Sequence, residues 1–170
     1  MGSGSSGVYA GTSGGSQPYA EKYSVYGEML KIDKKDPDIY DKSSGYFKNP
    51  SAVSLDDSID GNRVIFEGHS AEGHMTYVMD ENGDIIFGKR FNPNDGRKRS
   101  PHPTLIGGKD PKVQCAGIIV FKKGRILSVD NNSGHYRPNK KSLEKVNGVL
   151  QKMYEKNPNL FDKNSIWRKK

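Results

Sequence analysis

Residues 97–138 read RKRSPHPTLIGGKDPKVQCAGIIVFKKGRILSVDNNSGHYRP and contain the strongest hairpin signal of the chain. Two strands are predicted over 113–121 and 125–130, and Lys122-Lys123-Gly124 between them supplies a glycine for a tight turn. The first strand is apolar on both faces, so we expect it in the interior of a sheet rather than at an edge.

Each end of this hairpin continues into a histidine-bearing segment. One segment is SPHPTL at 100–105 and the other is SGHYRP at 133–138, and both contain proline, which stiffens the backbone. If the hairpin pairs as predicted, Val113 and Asp130 lie at one end of the sheet, and the two segments converge there. The residues brought together would be His102, His135, Tyr136 and Arg137.

A second hairpin is predicted upstream. Alternate residues of 75–79 share an apolar face, a turn with an Asn-Gly pair follows over 80–84, and residues 85–87 form the return strand. From Asn62 onward the period also changes to that of a strand, with Val64 and Phe66 alternating with Arg63, Ile65 and Glu67. The loop over 91–112 has no periodicity and is rich in proline, glycine and charge, which is typical of functional loops.

Helices are predicted before and after these strands. Tyrosine, methionine and leucine recur at helical spacing over 20–34, and Asp36-Pro37 stops that helix. Asn139 can cap a second helix from Lys140 to about Lys156, which Asn157-Pro158 ends. We expect the last segment to dock through Phe161, Ile166 and Trp167.

The predicted fold class is therefore α+β, with an N-terminal helix, an antiparallel sheet of four to six strands built from two hairpins, and a C-terminal helix. Residues 1–16 are mostly glycine and serine, which predicts a flexible linker or an expression leader. Residues 17–170 are expected to form a single basic domain.

Composition and charge limit the classes of binding partner and of site that this chain can have. Lysine and arginine number 27 against 20 acidic residues, which gives a net charge of +7. This excess favours polyanionic partners such as RNA, DNA or an anionic membrane, although a basic surface can also serve solubility alone. The single cysteine, Cys115, excludes an internal disulfide and a zinc site built from cysteine pairs. No apolar run or leader pattern predicts a membrane helix or a signal peptide.

The converging segments carry the residue types that metal-independent RNA cleavage requires. A base takes the ribose 2′-OH proton, an acid protonates the leaving oxygen, and cations stabilise the charge that develops on phosphorus. His102 and His135 suit the proton transfers, because the unperturbed histidine pKa is near neutral. Arg137 can bind a phosphate bidentately, and Tyr136 can stack on a base or donate to a phosphate oxygen. Further substrate-binding charge is expected from Arg97, Arg99 and Lys109.

The alternative for both histidines is structural: they would hydrogen-bond to loop backbone and hold the turns in shape. Neither reading calls for a metal or another cofactor.

Other candidate motifs are weaker. Cys115 paired with His135 would be a thiol nucleophile with its base, but a lone cysteine in an apolar strand is usually a small core residue. His69 and His74 are spaced one residue too far for the two-histidine helix motif, with Gly73 between them. Gly107-Gly108-Lys109 lacks the first glycine and the hydroxyl residue of a phosphate-binding loop.

Two alternatives to a ribonuclease remain open. An NAD-dependent ADP-ribosyltransferase is the first, since small basic toxins often use that chemistry, but no Ser-Thr-Ser strand and no Glu-x-Glu or Gln-x-Glu pair lies where it would be needed. A non-enzymatic binding module of a phage or secreted protein is the second.

The succession SPHPTL, Gly107-Gly108, Cys115–Ile119, Gly124–Ile126 and SGHYRP resembles the C-terminal domains of bacterial polymorphic toxins. Residues 11–20 likewise resemble the junction between a prophage structural protein and a toxin-like tail. The resemblance covers about Phe87 to Pro138. It implies that 17–170 is a toxin-like domain that follows a linker on a larger carrier protein and is neutralised by a cognate immunity protein.

Many small toxins of this kind resemble barnase and the colicin endoribonucleases, which are metal-independent. The resemblance therefore implies a domain that is secreted or delivered by a bacterial carrier and acts on RNA in the cytoplasm of the target cell. It carries over His102, His135, Tyr136 and Arg137 as site residues.

Overall fold

The structure is a computed structural model of the 170-residue chain. It describes residues 31, 34–35, 37, 40–47, 52–89, 102–106, 112–133, 136 and 138–169. The linker predicted over 1–16 lies outside the described residues. So does the helix predicted over 20–34, apart from Lys31, which is helical, and Lys34, which lies in a turn.

The chain has an α+β fold with antiparallel sheets and a long helix near its C-terminus. The strands are β1 Tyr40–Asp41, β2 Tyr46–Phe47, β3 Val53–Ser54, β4 Ile59–Asp60, β5 Arg63–Phe66, β6 His69–Ser70, β7 Gly73–Met79, β8 Ile85–Lys89, β9 Cys115–Lys122 and β10 Arg125–Val129. Besides the helical residue Lys31, the described part of the chain contains the α-helices α1 Pro103–Ile106, α2 Lys140–Lys156 and α3 Ile166–Lys169, and 3₁₀ turns at Asp56–Ser58 and Pro158–Leu160.

The main sheet has five strands in the order β10-β9-β7-β8-β3, and every neighbouring pair is antiparallel. Both predicted hairpins are confirmed: β7 pairs with β8, and β9 pairs with β10. β9 lies between β7 and β10, as its apolar faces indicate. Its pairing with β7 runs from Gly73 opposite Phe121 to Met79 opposite Cys115.

The prediction of one sheet was wrong, because the described strands form three. β4, β5 and β6 make a separate three-stranded sheet, and β1 and β2 make a two-stranded one. Tight turns explain the first separation: Gly61 has φ 64°, and Glu67 and Gly68 have φ 53° and 83°. These turns fold β5 back onto its sequence neighbours, while Val64 and Phe66 are still buried in the core.

The main sheet is covered on both faces. The larger core cluster includes Tyr77, Phe87, Ile119 and Phe121 from the sheet, and Val146 and Leu150 from α2. Alternate positions of the same strands face a smaller cluster, whose members are Ala52, Val78, Ile86, Leu105, Val113, Ala116 and Tyr136. Because strand side chains alternate between faces, β7, β8 and β9 each contribute to both clusters.

The helix α2 has the predicted bounds. The Asn139 side chain accepts a hydrogen bond of 3.0 Å from the amide of Ser142, which caps the first turn. Lys145 is half-buried and donates to Gln114 Oε1 at 3.0 Å. This bond ties α2 to the residue just before β9, so the helix also positions the end of the sheet at which the hairpin opens.

The C-terminal segment docks with two of its three predicted residues. Phe161 and Trp167 are buried, and their ring centroids lie 4.9 Å apart. Ile166 is 57% exposed, so its predicted docking role was wrong. Ile166 and Trp167 are neighbours in the short helix α3, and adjacent helical positions face directions about 100° apart.

Candidate functional site

The candidate site lies at the open end of the β9–β10 hairpin. Of the predicted catalytic residues, His102 and Tyr136 are described by the structure. His135 and Arg137 lie outside the described residues, as do the predicted substrate-binding residues Arg97, Arg99 and Lys109.

His102 immediately precedes α1 and is 6% exposed. Its Nε2 lies 2.7 Å from the carbonyl oxygen of Gly117 in β9, and its Nδ1 lies 3.0 Å from Ser133 Oγ. A carbonyl oxygen can only accept, so Nε2 carries a proton. The Ser133 hydroxyl can then donate to Nδ1 of a neutral imidazole, which leaves both ring nitrogens engaged.

Ser133 joins the two histidine-bearing segments. Its Oγ also accepts a hydrogen bond of 3.3 Å from the amide of Tyr136, which shapes the turn in the second segment. The predicted convergence of the segments is therefore confirmed at His102 and Ser133, 31 residues apart in sequence. The second histidine, His135, follows Ser133 by two positions in the sequence.

Tyr136 is fully buried, with 0% of its surface exposed, and belongs to the smaller core cluster together with Leu105. Each segment thus contributes one apolar side chain to the face of the sheet opposite α2. The predicted stacking of Tyr136 on a base stays a prediction, and the packing of its ring favours a role in the core.

A close approach between β9 and the residue after β10 holds this end of the hairpin. A methyl group on Gly117 would overlap the carbonyl group of Asp130, with the carbonyl carbon only 2.6 Å away. The Asp130 carboxylate accepts from the amides of Ile118 at 2.8 Å and Asn132 at 2.9 Å. Only glycine at 117 allows this approach, and its own carbonyl is the one that binds His102.

Cys115 lies beneath this junction. Its Sγ is 3.6 Å from the hydroxyl of Tyr77, and both side chains are buried. Burial raises the pKa of the Cys115 thiol above its usual value, and burial likewise raises the pKa of Tyr77 well above its usual value. A protonated, enclosed thiol is a poor nucleophile, which agrees with the expectation that Cys115 is a core residue.

The histidines outside the site are exposed on strands: His69 in β6 and His74 in β7. Within the described ranges, no three or more His, Cys, Asp or Glu side chains are grouped so that they could hold a metal ion. Likewise, none of the helices in the described part of the chain is long and apolar enough to cross a membrane.

The roles of Ser133 and Gly117 at this site were not predicted from the sequence. A glycine in an otherwise apolar strand is a signal for close backbone approach. A serine ahead of the Gly-His pair is a weaker signal, since serine shapes many turns without contacting a side chain.

Comparison with protein-family models, with curated proteins and with solved structures finds no match for this chain. The resemblance to polymorphic-toxin domains therefore remains a prediction.

Proposed function

We propose that this protein is a toxin-type effector domain that cleaves RNA without a metal ion at the open end of the β9–β10 hairpin. The observation that carries the proposal is the 3.0 Å contact between His102 Nδ1 and Ser133 Oγ. It joins the two histidine-bearing segments in a chain of net charge +7, and such a charge concentrates a polyanionic substrate.

The proposed reaction is an internal transesterification. The ribose 2′-oxygen attacks phosphorus, the 2′-O–P bond forms, and the bond from phosphorus to the 5′-oxygen breaks. One group takes the 2′-OH proton and another gives a proton to the departing 5′-oxygen. The products are a 2′,3′-cyclic phosphate and a free 5′-hydroxyl, and Arg137 stabilises the charge on the phosphoryl oxygens.

The surroundings of His102 indicate that the two histidines have different roles in the proposed reaction. Both of its ring nitrogens are hydrogen-bonded and its side chain is buried, so we assign His102 to positioning the second segment through Ser133. His135 is then the histidine that takes the 2′-OH proton, water protonates the departing 5′-oxygen, and Arg137, two positions further along the chain, binds the phosphate. This division differs from the sequence-based expectation, in which both histidines act as acid and base.

The test incubates the purified protein with total RNA in EDTA and analyses the ends of the fragments. We expect fragments with cyclic phosphates, and no cleavage of an oligonucleotide with 2′-deoxyribose at the cleavage site. The variant His135→Ala should lose cleavage while keeping the urea midpoint of the unmodified protein. His69→Ala, which removes an exposed histidine from β6, is the matched control and should cleave normally.

The His102 variants separate positioning from proton transfer. His102→Ala should lower both activity and stability, because it leaves the Gly117 carbonyl and the Ser133 hydroxyl without their partner. His102→Gln can replace one of these hydrogen bonds and should recover part of both. Intact RNA at high protein concentration would overturn the ribonuclease proposal, and consumption of NAD in a lysate would replace it with ADP-ribosyl transfer.

The proposed route of delivery and the proposed immunity partner follow from the resemblance to polymorphic-toxin domains. A larger carrier delivers the domain into the cytoplasm of a target cell, and an immunity protein neutralises it in the producing cell. Growth arrest on cytoplasmic expression, relieved by the His135→Ala substitution, is the expected cellular result.

A further inference from the structure

A second charged feature lies at the opposite end of the β9–β10 hairpin. A cleft of about 430 Å³ opens between the hairpin turn and the C-terminal segment, and its described lining residues are Lys122, Lys123, Arg125, Asp162, Lys163 and Arg168. We propose that this basic cleft binds the phosphodiester backbone of single-stranded nucleic acid.

The charge of the basic cleft is strongly one-sided. Five cations face one carboxylate, that of Asp162, whose Oδ2 accepts a hydrogen bond of 2.9 Å from the amide of Asn164. The ion pair between Lys89 and Glu67 lies outside the cleft, and among the described residues no ion pair involves the five cations that line it. The cleft thus keeps its positive charge for an external anion.

The two arginines of the cleft are held in place by backbone. Arg125 Nε donates to the carbonyl of Asn159 at 3.1 Å, and one terminal nitrogen of Arg168 donates to the carbonyl of Phe161 at 3.3 Å. Each of these hydrogen bonds uses one N–H of the guanidinium, and a guanidinium carries five N–H donors in all. A held guanidinium loses less conformational freedom when it binds a phosphate.

Lys123 occupies a backbone conformation that its residue type disfavours. Its φ is 52°, in the left-handed region, and Gly124 follows with φ 82°. Asparagine, aspartate and glycine are the usual residues at such hairpin positions, and other L-residues cost about 1 kcal/mol or more there. A lysine that weakens the turn and adds a cation to the cleft indicates that the cation serves binding.

The turn that carries Lys123 is held by hydrogen bonds to residues of the small sheet and the segment after it. The amide of Lys123 donates to Glu72 Oε1 at 2.7 Å, and the amide of Gly124 donates to the Ala71 carbonyl at 2.8 Å. The carbonyl of Gly124 in turn accepts from the amide of Val64 at 2.6 Å. The small sheet of β4–β6 thereby braces the turn, and this bracing preorganises the cleft.

The composition of the lining selects the class of ligand. Pockets for small organic molecules are lined mostly by apolar residues, and membrane-binding surfaces insert apolar side chains, whereas each described residue that lines this cleft is a lysine, an arginine or an aspartate. Arginine forks and lysine point charges together are typical of sites that follow a phosphate backbone. A linear polyanion also gains from several cations at once.

The basic cleft and His102 cannot contact the same phosphate. Lys122 lies five positions along β9 from Gly117, whose carbonyl binds His102, and a strand rises about 3.4 Å per residue, so the separation is roughly 17 Å. The cleft is therefore a separate anchoring site. The proposal rests on the proposed function only in its choice of nucleic acid, and its binding test does not require cleavage.

The experiment measures binding of the intact protein to a fluorescent single-stranded DNA of about 12 nucleotides, a probe that lacks the 2′-OH and cannot be cleaved by the proposed reaction. Titrations at several salt concentrations give the slope of log affinity against log salt. For Lys122→Gln/Lys163→Gln we expect affinity to fall roughly fivefold to twentyfold and the slope to lessen by about 1.4, which corresponds to two lost phosphate contacts.

Lys123→Asn separates binding from folding. Asparagine suits the left-handed conformation, so the urea midpoint should stay the same or rise while affinity falls about threefold. The matched control for Lys122→Gln/Lys163→Gln is Lys141→Gln/Lys152→Gln, which likewise removes two positive charges, from exposed positions of α2 outside the cleft. It should change affinity by less than about twofold.

Two outcomes would overturn the proposal. Equal weakening by the cleft and control variants would mean that net charge, and not the cleft, attracts the polyanion. Binding to phosphatidylserine vesicles or to an acidic protein, with none to the DNA, would assign the cleft to another partner. If the unmodified protein binds the DNA but leaves RNA intact, the proposed ribonuclease function is overturned and the cleft proposal still holds.

Discussion

The hydroxyl of Tyr77 donates a hydrogen bond of 2.6 Å to the carbonyl oxygen of Asp130, 53 residues further along the chain. Tyr77 is in β7, in the middle of the sheet, and Asp130 is the first residue after β10. The bond therefore spans β9 and fixes the point at which the chain leaves the sheet toward Ser133. The position of the candidate site depends on this contact.

Tyr77→Phe tests the contact with little change in shape. We expect a loss of about 1–2 kcal/mol in the free energy of unfolding, because the Asp130 carbonyl loses its donor. Urea denaturation followed by fluorescence measures it. Tyr154→Phe is the control: within the described residues that hydroxyl has no recorded hydrogen bond, so its removal should change stability by less than about 0.5 kcal/mol.

Gly117→Ala should destabilise the protein by about 3 kcal/mol or more. The added methyl has no rotatable bond that would move its carbon, and it would overlap the Asp130 carbonyl, which is part of the backbone. In contrast, Gly148→Ala in α2 meets nothing within 4 Å and should stabilise the helix by about 0.5–1 kcal/mol. Similar urea midpoints for both variants would contradict the close approach at Gly117.

Cys115 should react slowly with iodoacetamide in the native protein. Burial raises its thiol pKa, so the reactive thiolate is scarcer than in the unfolded chain and is also enclosed. We expect the alkylation rate, followed by mass spectrometry, to rise with urea in step with unfolding. Rapid labelling in buffer at pH 7 would show instead that the site opens easily around Cys115.

Asp84→Asn should stabilise the protein at neutral pH by less than about 1 kcal/mol. Burial, followed by the nearby carboxylates of Asp80, Asp56 and Asp57, raises the Asp84 pKa above its usual 3.8. The folded state therefore holds the proton more tightly than the unfolded chain, and stability falls as pH rises through the raised pKa. The gain from asparagine should vanish below about pH 3.8, where Asp84 is protonated in both states. Urea midpoints of both proteins across this pH range measure the effect.

Local sequence signals predicted the hairpins and α2 because each depends on neighbouring residues. The Asn-Gly turn, the glycine at 124 and the asparagine cap act within a few positions, so their outcomes follow from backbone preference. The division into separate sheets did not follow. Whether β5 joins the main sheet depends on long-range packing of Val64 and Phe66, which alternation alone does not encode.

The candidate site was predicted in part for the same reason. The convergence of the two segments follows from hairpin geometry. The two hydrogen-bond partners of His102 could not be predicted, because the Ser133 hydroxyl and the Gly117 carbonyl are common groups with no distinctive spacing in the sequence. The basic cleft was missed because Lys122 and Lys123 looked like ordinary turn residues. Lys163 and Arg168 join them only through the docking of Phe161 and Trp167.

The pairing of β7 with β9 also governs how the chain assembles. β7 ends at Met79, and β9, its partner on one edge, begins only at Cys115. During synthesis this seven-residue strand, whose side chains are mostly buried in the folded protein, therefore has one unpaired edge until β9 has been made. Such an edge is a template for pairing with other chains. Products truncated before β9 should therefore aggregate, and completion of the sheet should be the slow step of folding.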